Sequence, residues 1–310
     1  MGATTRGDPE MTTPKIATIR RGGARHYVHP VDGSTAVGVT SVVGMLPKDF
    51  LRYWAAKLVA ESAYDEFSTL AGFVVSEDPE SRAAAVAWLK NAPTRLTSGA
   101  AQNGNDVHSL TEDIDRLGGI PPRLPADKMP YALGWLNFRE QTQCEVLAAE
   151  RTIWNSGVGY SGTLDRSVLI PASAWERFDA PPAWWEGPDV PIICDCKTTR
   201  SGVFPEVGLQ MAAYSYATES LEFDEHGVAE AKPWPKHSET SLVVWLRPEA
   251  WRLTPVDSSA EVFEAFKHLA AIFKFDRGLK KDLILPDVAG ETWEPEQVAL
   301  FADVLRGLRK

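Results

Sequence analysis

Cysteine is scarce in this 310-residue chain, with only Cys144, Cys194 and Cys196. Three thiols cannot build a four-cysteine iron–sulfur or zinc cage. An odd count without framework spacing argues against a secreted disulfide scaffold and for a reducing, cytoplasmic setting. Long apolar runs are missing too: none approaches the ~20 residues that cross a bilayer, so no membrane partner is expected. The N-terminus lacks the basic start and apolar stretch of a signal peptide, and Arg6 stands where a myristoylation motif at Gly2 would need Ser or Thr. Positive charge is in deficit, with 32 Lys and Arg against 42 Asp and Glu, a net −10. That counts against holding a polyanion by bulk charge, though not by a local basic groove. No internal repeat or low-complexity tract interrupts the chain.

Aromatic residues, by contrast, are plentiful. Eleven Trp within a 44% hydrophobic composition point to a substantial aromatic core in an ordinary globular protein. Charge is unevenly spread. Residues 15–25 carry Lys15, Arg20, Arg21 and Arg25 with no acid, Lys197–Arg200 is a second basic feature, and acid gathers in Glu219–Glu230.

Periodicity divides the chain into a disordered tail over 1–13, a mostly helical N-terminal region packed on the core over 14–100, a core over 101–275, and a connector with a last helix over 276–310. Val37–Val43 reads as extended. Apolar spacing predicts helices over Lys48–Phe67, where Leu51, Trp54, Ala55, Leu58 and Val59 form a stripe read as core packing, and over Glu80–Lys90. Asn103-Gly104-Asn105-Asp106 reads as a turn that caps a helix over Val107–Leu117. A longer amphipathic helix covers Met129–Ala149. The period then changes to two. Strands are expected at Glu150–Trp154, Tyr160–Ile170 and Val190–Lys197, the first two joined by the hairpin signal Asn155-Ser156-Gly157. A helix starts near Pro205 and reaches Ser220, Leu221–Glu239 reads as a charged loop, and Thr240–Leu246 and Ala250–Pro255 are two further strands. Helices over Glu261–Phe275 and Pro295–Leu308 follow. This order implies an α/β fold of the α+β kind, a mixed central sheet flanked by helices with a helical N-terminal region.

The chemistry concentrates where strands end. Asp195 and Lys197 are i and i+2 on one strand, so they share a face, while Cys194 and Cys196 share the other as small buried hydrophobes. Asp165 closes Gly162-Thr163-Leu164-Asp165 on the strand before. Two carboxylates can hold a divalent cation, and an adjacent ammonium can face the group under attack. Gln210 and Tyr214, at i and i+4, stack on one helical face.

Gly104-x-x-x-His108, Gly162-x-x-Asp165, Asp195-x-Lys197 and Gln210-x-x-x-Tyr214 stand in the order found in the PD-(D/E)XK nuclease superfamily. The chain most resembles its RecB-like and phage exonuclease branch, over roughly residues 100–275. Val39-Thr40-Ser41-Val42-Val43 followed by Lys48, Leu51 and Trp54 is similar to the N-terminal part of phage members. The resemblance implies a restriction-endonuclease-like fold and a metal-dependent deoxyribonuclease, an exonuclease of phage or bacterial recombination or replication. In its terms His108, Asp165, Asp195 and the backbone carbonyl of Cys196 hold Mg²⁺ or Mn²⁺. Lys197 orients water or stabilises phosphate charge, Gln210 and Tyr214 line the site, and Glu150 stands where many relatives carry a strand glutamate. The absent cysteines point to a member without an iron–sulfur cluster. DNA is the implied partner, with a single-strand annealing protein and a homo-oligomer as family-level companions.

Plainer readings stand beside these. Asp-x-Lys alone is a common solvated strand end, and His108 alone would be a packed or capping residue. Glu112 reads as a solvated or supporting partner. Glu150 is balanced between a site role and an edge charge, and Arg200 between a phosphate contact and a surface charge. Thr198 and Thr199 read as supports of the strand end in preference to phosphate contacts, and Trp184 and Trp185 as pinning their loop to the core in preference to stacking on bases of a single strand. Two other functions compete: a catalytically silent nuclease-fold module that binds DNA or protein, and an unrelated metal-dependent hydrolase of small phosphate esters.

Overall fold

The structure, a computed structural model, describes residues 16–47, 49–73, 79–178, 180–224 and 226–278, with 283, 295, 296 and 298. The tail over 1–13, Lys15, Lys48 and most of the Pro295–Leu308 helix lie outside the described residues. The chain divides into two compact units, 1–271 and 272–310.

Three strands open the first unit: β1 (Thr18–Arg21), β2 (Ala24–Val28) and β3 (Thr35–Gly38). Six helices follow: α1 (Val39–Val43), α2 (Asp49–Asp65), α3 (Phe67–Phe73), α4 (Pro79–Lys90), α5 (Ala92–Leu117) and α6 (Met129–Thr142). Then come β4 (Glu145–Asn155), β5 (Tyr160–Leu169), β6 (Ile192–Lys197), α7 (Val207–Ser215), β7 (Glu219–Phe223), β8 (Ala229–Pro233), β9 (Thr240–Leu246) and β10 (Trp251–Asp257). Helix α8 (Ala260–Arg277) begins in the first unit. The strands form one mixed, mostly antiparallel sheet flanked by helices, as the periodicity predicts.

The middle strand, β5, organises this sheet. On one edge it pairs with β4, whose far edge carries the β7–β8 hairpin. Its other edge is divided. At the start, Tyr160 and Ser161 pair in parallel with Val37 and Gly38 of β3. At the end, Arg166, Ser167 and Val168 pair antiparallel with Cys194, Ile193 and Ile192 of β6. Between these, Gly162–Asp165 has no strand partner on that edge among the described residues, and the sheet forks. Beyond the fork β6 runs parallel to β9, which pairs with β10. Every residue of Ile192–Cys196 is buried, as expected of a strand covered on both faces.

Helices α5 and α6 contribute Val107, Leu110, Ile114, Trp135 and Phe138 to a core with Cys194, Cys196, Leu242, Val244 and Leu246. The two cysteines are free and buried, so they pack as small hydrophobes as expected. Elsewhere Tyr160 donates to the Ala213 carbonyl of α7 at 2.7 Å and lies edge-on to Phe266 of α8.

Several local readings are corrected. Residues 103–106 are not a turn: α5 runs straight through them. Their polar side chains find tertiary partners instead of capping. Asn103 bonds Tyr131 and Lys128, and Asp106 pairs with Lys128, which offsets weak helix propensity. Residues 39–43 are helical rather than extended. The helix from Met129 stops at Thr142, where Gln143 turns left-handed (φ 48°), and β4 starts at Glu145. Helix α7 ends at Ser215, and the charged stretch after it holds β7 and β8. Its charges pair across the edge strands, Glu222 with Lys232 and Arg151, so a polar composition hid a hairpin. Leu51 and Trp54 are 37% and 43% exposed and are not core. Trp184 and Trp185 pack against Trp175, and Trp185 Nε1 donates to the Ile170 carbonyl at 3.2 Å, so they do pin their loop. Among the described residues no helix is long and apolar enough to cross a membrane.

Candidate functional site

The fork in the sheet is where the sequence-predicted residues meet. Asp165 and Asp195 each lie one residue beyond the last β5–β6 pair, Arg166 with Cys194. Where the ladder would continue, the Asp165 side chain takes its place: Oδ2 accepts the Cys196 N–H at 3.0 Å. The same oxygen lies 3.1 Å from Nδ1 of His108 on α5. Lys197 Nζ forms an ion pair with Oδ2 of Asp195. That oxygen is buried and receives no well-aligned hydrogen bond. Cys196 thus enters the site through its N–H.

Charge divides unequally over this cluster. Burial would raise the pKa of Asp165, but hydrogen bonding and charge from His108, then Lys197 and the Cys196 N–H, hold it well below the usual carboxylate range. Asp195 goes the other way: burial and the Asp165 charge push it up to about 7 despite Lys197. Burial opposes the charged forms of His108 and Lys197, yet the neighbouring aspartates raise both.

Glu150 stands level with Asp165, since Ala149 pairs with Arg166 and Arg151 with Leu164 on either side. Its backbone is left-handed (φ 47°), rare for a residue that is not glycine. Burial, then the charges of Glu112 and Asp165, push its carboxyl up to about 7. Glu112 is four residues from His108 on α5, so both reach the same end of the cluster. Glu150 is therefore at the site rather than an edge charge, and Glu112 supports it.

Helix α7 closes another side. Gln210 Nε2 donates to the Tyr214 hydroxyl at 3.2 Å. Tyr214 is buried, and burial first, then the charges of Tyr27, Asp165 and Asp195, raises its phenol pKa far above normal. Its ring lies directly on Gly162, where a Cβ would come within 2.7 Å of Cε1. Glycine at 162 is thus what lets the tyrosine ring pack against β5. A cleft of about 250 Å³ opens beside this face, lined by Lys197, Gln210, Thr40, Val43, Thr199 and Phe204 among others. Thr198 and Thr199 brace the strand end through their carbonyls, which accept from Arg247 and Trp245. Arg200 is exposed.

A buried ion pair beside the candidate site, Arg166 with Asp115, escaped sequence reasoning. Arg166, next to Asp165, is 1% exposed. Its Nε donates to Asp115 Oδ2 at 2.6 Å and its Nη2 to Thr111 Oγ1 at 2.9 Å, with the guanidinium 4.3 Å from the centre of the Trp135 ring. Asp115 also accepts from Trp135 Nε1 and Arg139. Both Thr111 and Asp115 lie on α5, at helical spacing from His108. The signal was an arginine in an apolar strand, legible only with the matching acid in view.

The donor set suits a hard divalent cation, which prefers oxygen ligands: the buried Oδ2 of Asp195 is met only by the Lys197 ammonium, a charge that a cation could replace, and Asp165 lies beside it with His108. Among the described residues no three His, Cys, Asp or Glu side chains already stand as a metal cage; here they pair with one another and with Lys197. No protein-family model matches the chain, and no curated protein matches it.

Proposed function

We propose that the protein is a metal-dependent deoxyribonuclease of the PD-(D/E)XK kind, acting as an exonuclease. The observation that carries this reading is the convergence of His108, Asp165, Asp195 and Lys197 from three elements onto one fork in the sheet. A Tyr214 that touches the β5 glycine and senses both aspartates supports it.

Asp165, Asp195, His108 and the Cys196 carbonyl would hold Mg²⁺ or Mn²⁺, which neutralises phosphate charge and lowers the pKa of bound water. The protein's own groups then divide the work. Ionised Asp165 is kept charged by His108 and the Cys196 N–H. Asp195 has to lose its proton before it can serve as a ligand, which ties activity to pH. Lys197, released from Asp195, turns its ammonium toward a phosphate oxygen or the attacking water. Gln210 hydrogen-bonds the DNA backbone from the mouth of the cleft, and the buried Tyr214 holds Gln210 in place.

Asp195→Ala and Lys197→Ala are each expected to cut DNA hydrolysis by about 10²–10³-fold or more with the fold retained, read as degradation of labelled linear, circular and single-stranded DNA with Mg²⁺ or Mn²⁺. Full activity in either variant overturns the assignment. The Lys197–Asp195 pair that closes the site on itself favours one competitor, a silent nucleic-acid-binding module. Binding of labelled duplex without cleavage in Mn²⁺ would select it.

A further inference from the structure

The hairpin β1–β2 carries Arg20, Arg21 and Arg25 and no acid, in a chain of net charge −10. Its turn, Gly22-Gly23, has both residues at positive φ (57° and 80°), the tight connection that matches strand twist and makes a stiff hairpin. Arg20 faces Arg25 across the ladder, and Arg21 is their neighbour. All three are exposed. Like charges directly opposite on a sheet are destabilising, and among the described residues neither Arg20 nor Arg25 has an acidic partner. Arg21 donates to Thr35 Oγ1 at 3.4 Å and likewise meets no acid among the described residues. An anion from outside would relieve that repulsion.

The hairpin is also tied to the candidate site. Arg25 and Tyr27 are i and i+2 on β2, so they share a face. The Tyr27 hydroxyl lies 3.3 Å from Thr163 Oγ1, two residues before Asp165. The Arg25 N–H donates to Ser41 Oγ on α1 at 3.2 Å, beside the cleft-lining Thr40. A rigid hairpin with paired guanidinium groups, anchored to the strand that carries Asp165, matches the repeated charges of a sugar–phosphate backbone.

We propose that Arg20, Arg21 and Arg25 form a second nucleic-acid contact. They grip the backbone of the strand whose scissile bond lies at Asp165 and Asp195, without reading base sequence. This rests on the nuclease reading and adds a surface to it. Phosphate contacts release counterions, so each lost contact lowers the salt dependence of binding by a known step.

The test measures binding of labelled duplex and single-stranded DNA in EDTA over a range of salt, for the full chain and for Arg20→Gln/Arg25→Gln. Losing two phosphate contacts should shrink the slope of log affinity against log salt by about 1.8 on duplex or about 1.4 on a single strand. Whichever form shows the loss is the one the hairpin holds. Melting temperature should hold or rise slightly, since both side chains are exposed and their mutual repulsion is removed, and in Mn²⁺ the variant should show a raised KM with kcat preserved. A folded variant with unchanged slope and affinity overturns the proposal. If the wild type still cleaves and Asp195→Ala does not, the nuclease reading survives that failure. A wild type that neither binds nor cuts DNA removes both.

Discussion

Two glycines, Gly104 and Gly162, stand four residues before His108 and three before Asp165, yet they carry opposite expectations. At Gly162 an added Cβ meets Tyr214 Cε1 at 2.7 Å and Val39 Cγ2 at 3.2 Å, and neither can withdraw from a packed interior. Gly162→Ala should cost about 1–3 kcal/mol and reduce cleavage at least tenfold by displacing Tyr214, seen in melting curves and initial rates. At Gly104, in mid-helix, a Cβ would meet only Thr198 Oγ1 at an ordinary 3.5 Å. Gly104→Ala should therefore stabilise by roughly 0.5–1 kcal/mol and leave activity intact. Both motif glycines look alike in the sequence; only the neighbours of the missing side chain separate them. Asp165, Asp195 and Lys197 were legible because strand alternation and motif order bear on them directly. Arg166 was not, because its meaning depends on an acid fifty-one residues earlier in the chain.

At the scale of elements, helix α5 and strand β5 are locked by a buried ion pair, Arg166 with Asp115, that stands apart from the proposed metal ligands. Asp115, Thr111 and His108 lie along one side of α5, and Arg166 grips the first two. The lock sets the rotation of the helix and so the approach of His108 to Asp165. Removing one partner leaves a buried charge uncompensated, so Asp115→Asn should destabilise strongly, by about 3–5 kcal/mol. The double replacement Asp115→Leu/Arg166→Met should recover part of that loss, because an apolar pair can substitute for a buried ion pair, while Trp135 Nε1 and Arg139 still lose their acceptor. It should still bind Mn²⁺ about 10–100-fold more weakly, measured by titration calorimetry without DNA. Wild-type affinity in that variant would show that the lock serves stability alone.

The molecule as a whole is expected to answer to pH through its site. Burial and neighbouring carboxylates push Asp195 and Glu150 up to about 7 in the folded chain, against about 4 for an unfolded carboxylate. A raised folded value stabilises at low pH, and that stabilisation fades as pH rises through the folded value. His108, also raised, acts in the same direction above about 6.5. Asp165, held low, contributes a constant amount until pH falls below about 4. The metal-free protein should therefore melt at lower temperature as pH goes from about 5 to 8. Mn²⁺ or Mg²⁺ should restore most of that loss at the alkaline end, because a ligand bound only to the folded state stabilises it. Melting curves in EDTA and in Mn²⁺ decide it; a profile that is flat in EDTA, or unmoved by either metal, contradicts the charge arrangement.

Composition and periodicity were enough to establish the mixed sheet with flanking helices, the strands β5, β6, β9 and β10, and the positions of the carboxylates, because period and hydrophobic pattern are local properties of the chain. They misjudged α5 at residues 103–106 and the β7–β8 hairpin, where tertiary partners outweigh local preference. Only the three-dimensional structure decided that β3 and β6 share one edge of β5 and part at Gly162–Asp165. That opening frees the Cys196 N–H for Asp165 and seats Tyr214 on Gly162. Which strand pairs with which edge depends on contacts between residues far apart in the chain, and no short window of sequence contains them.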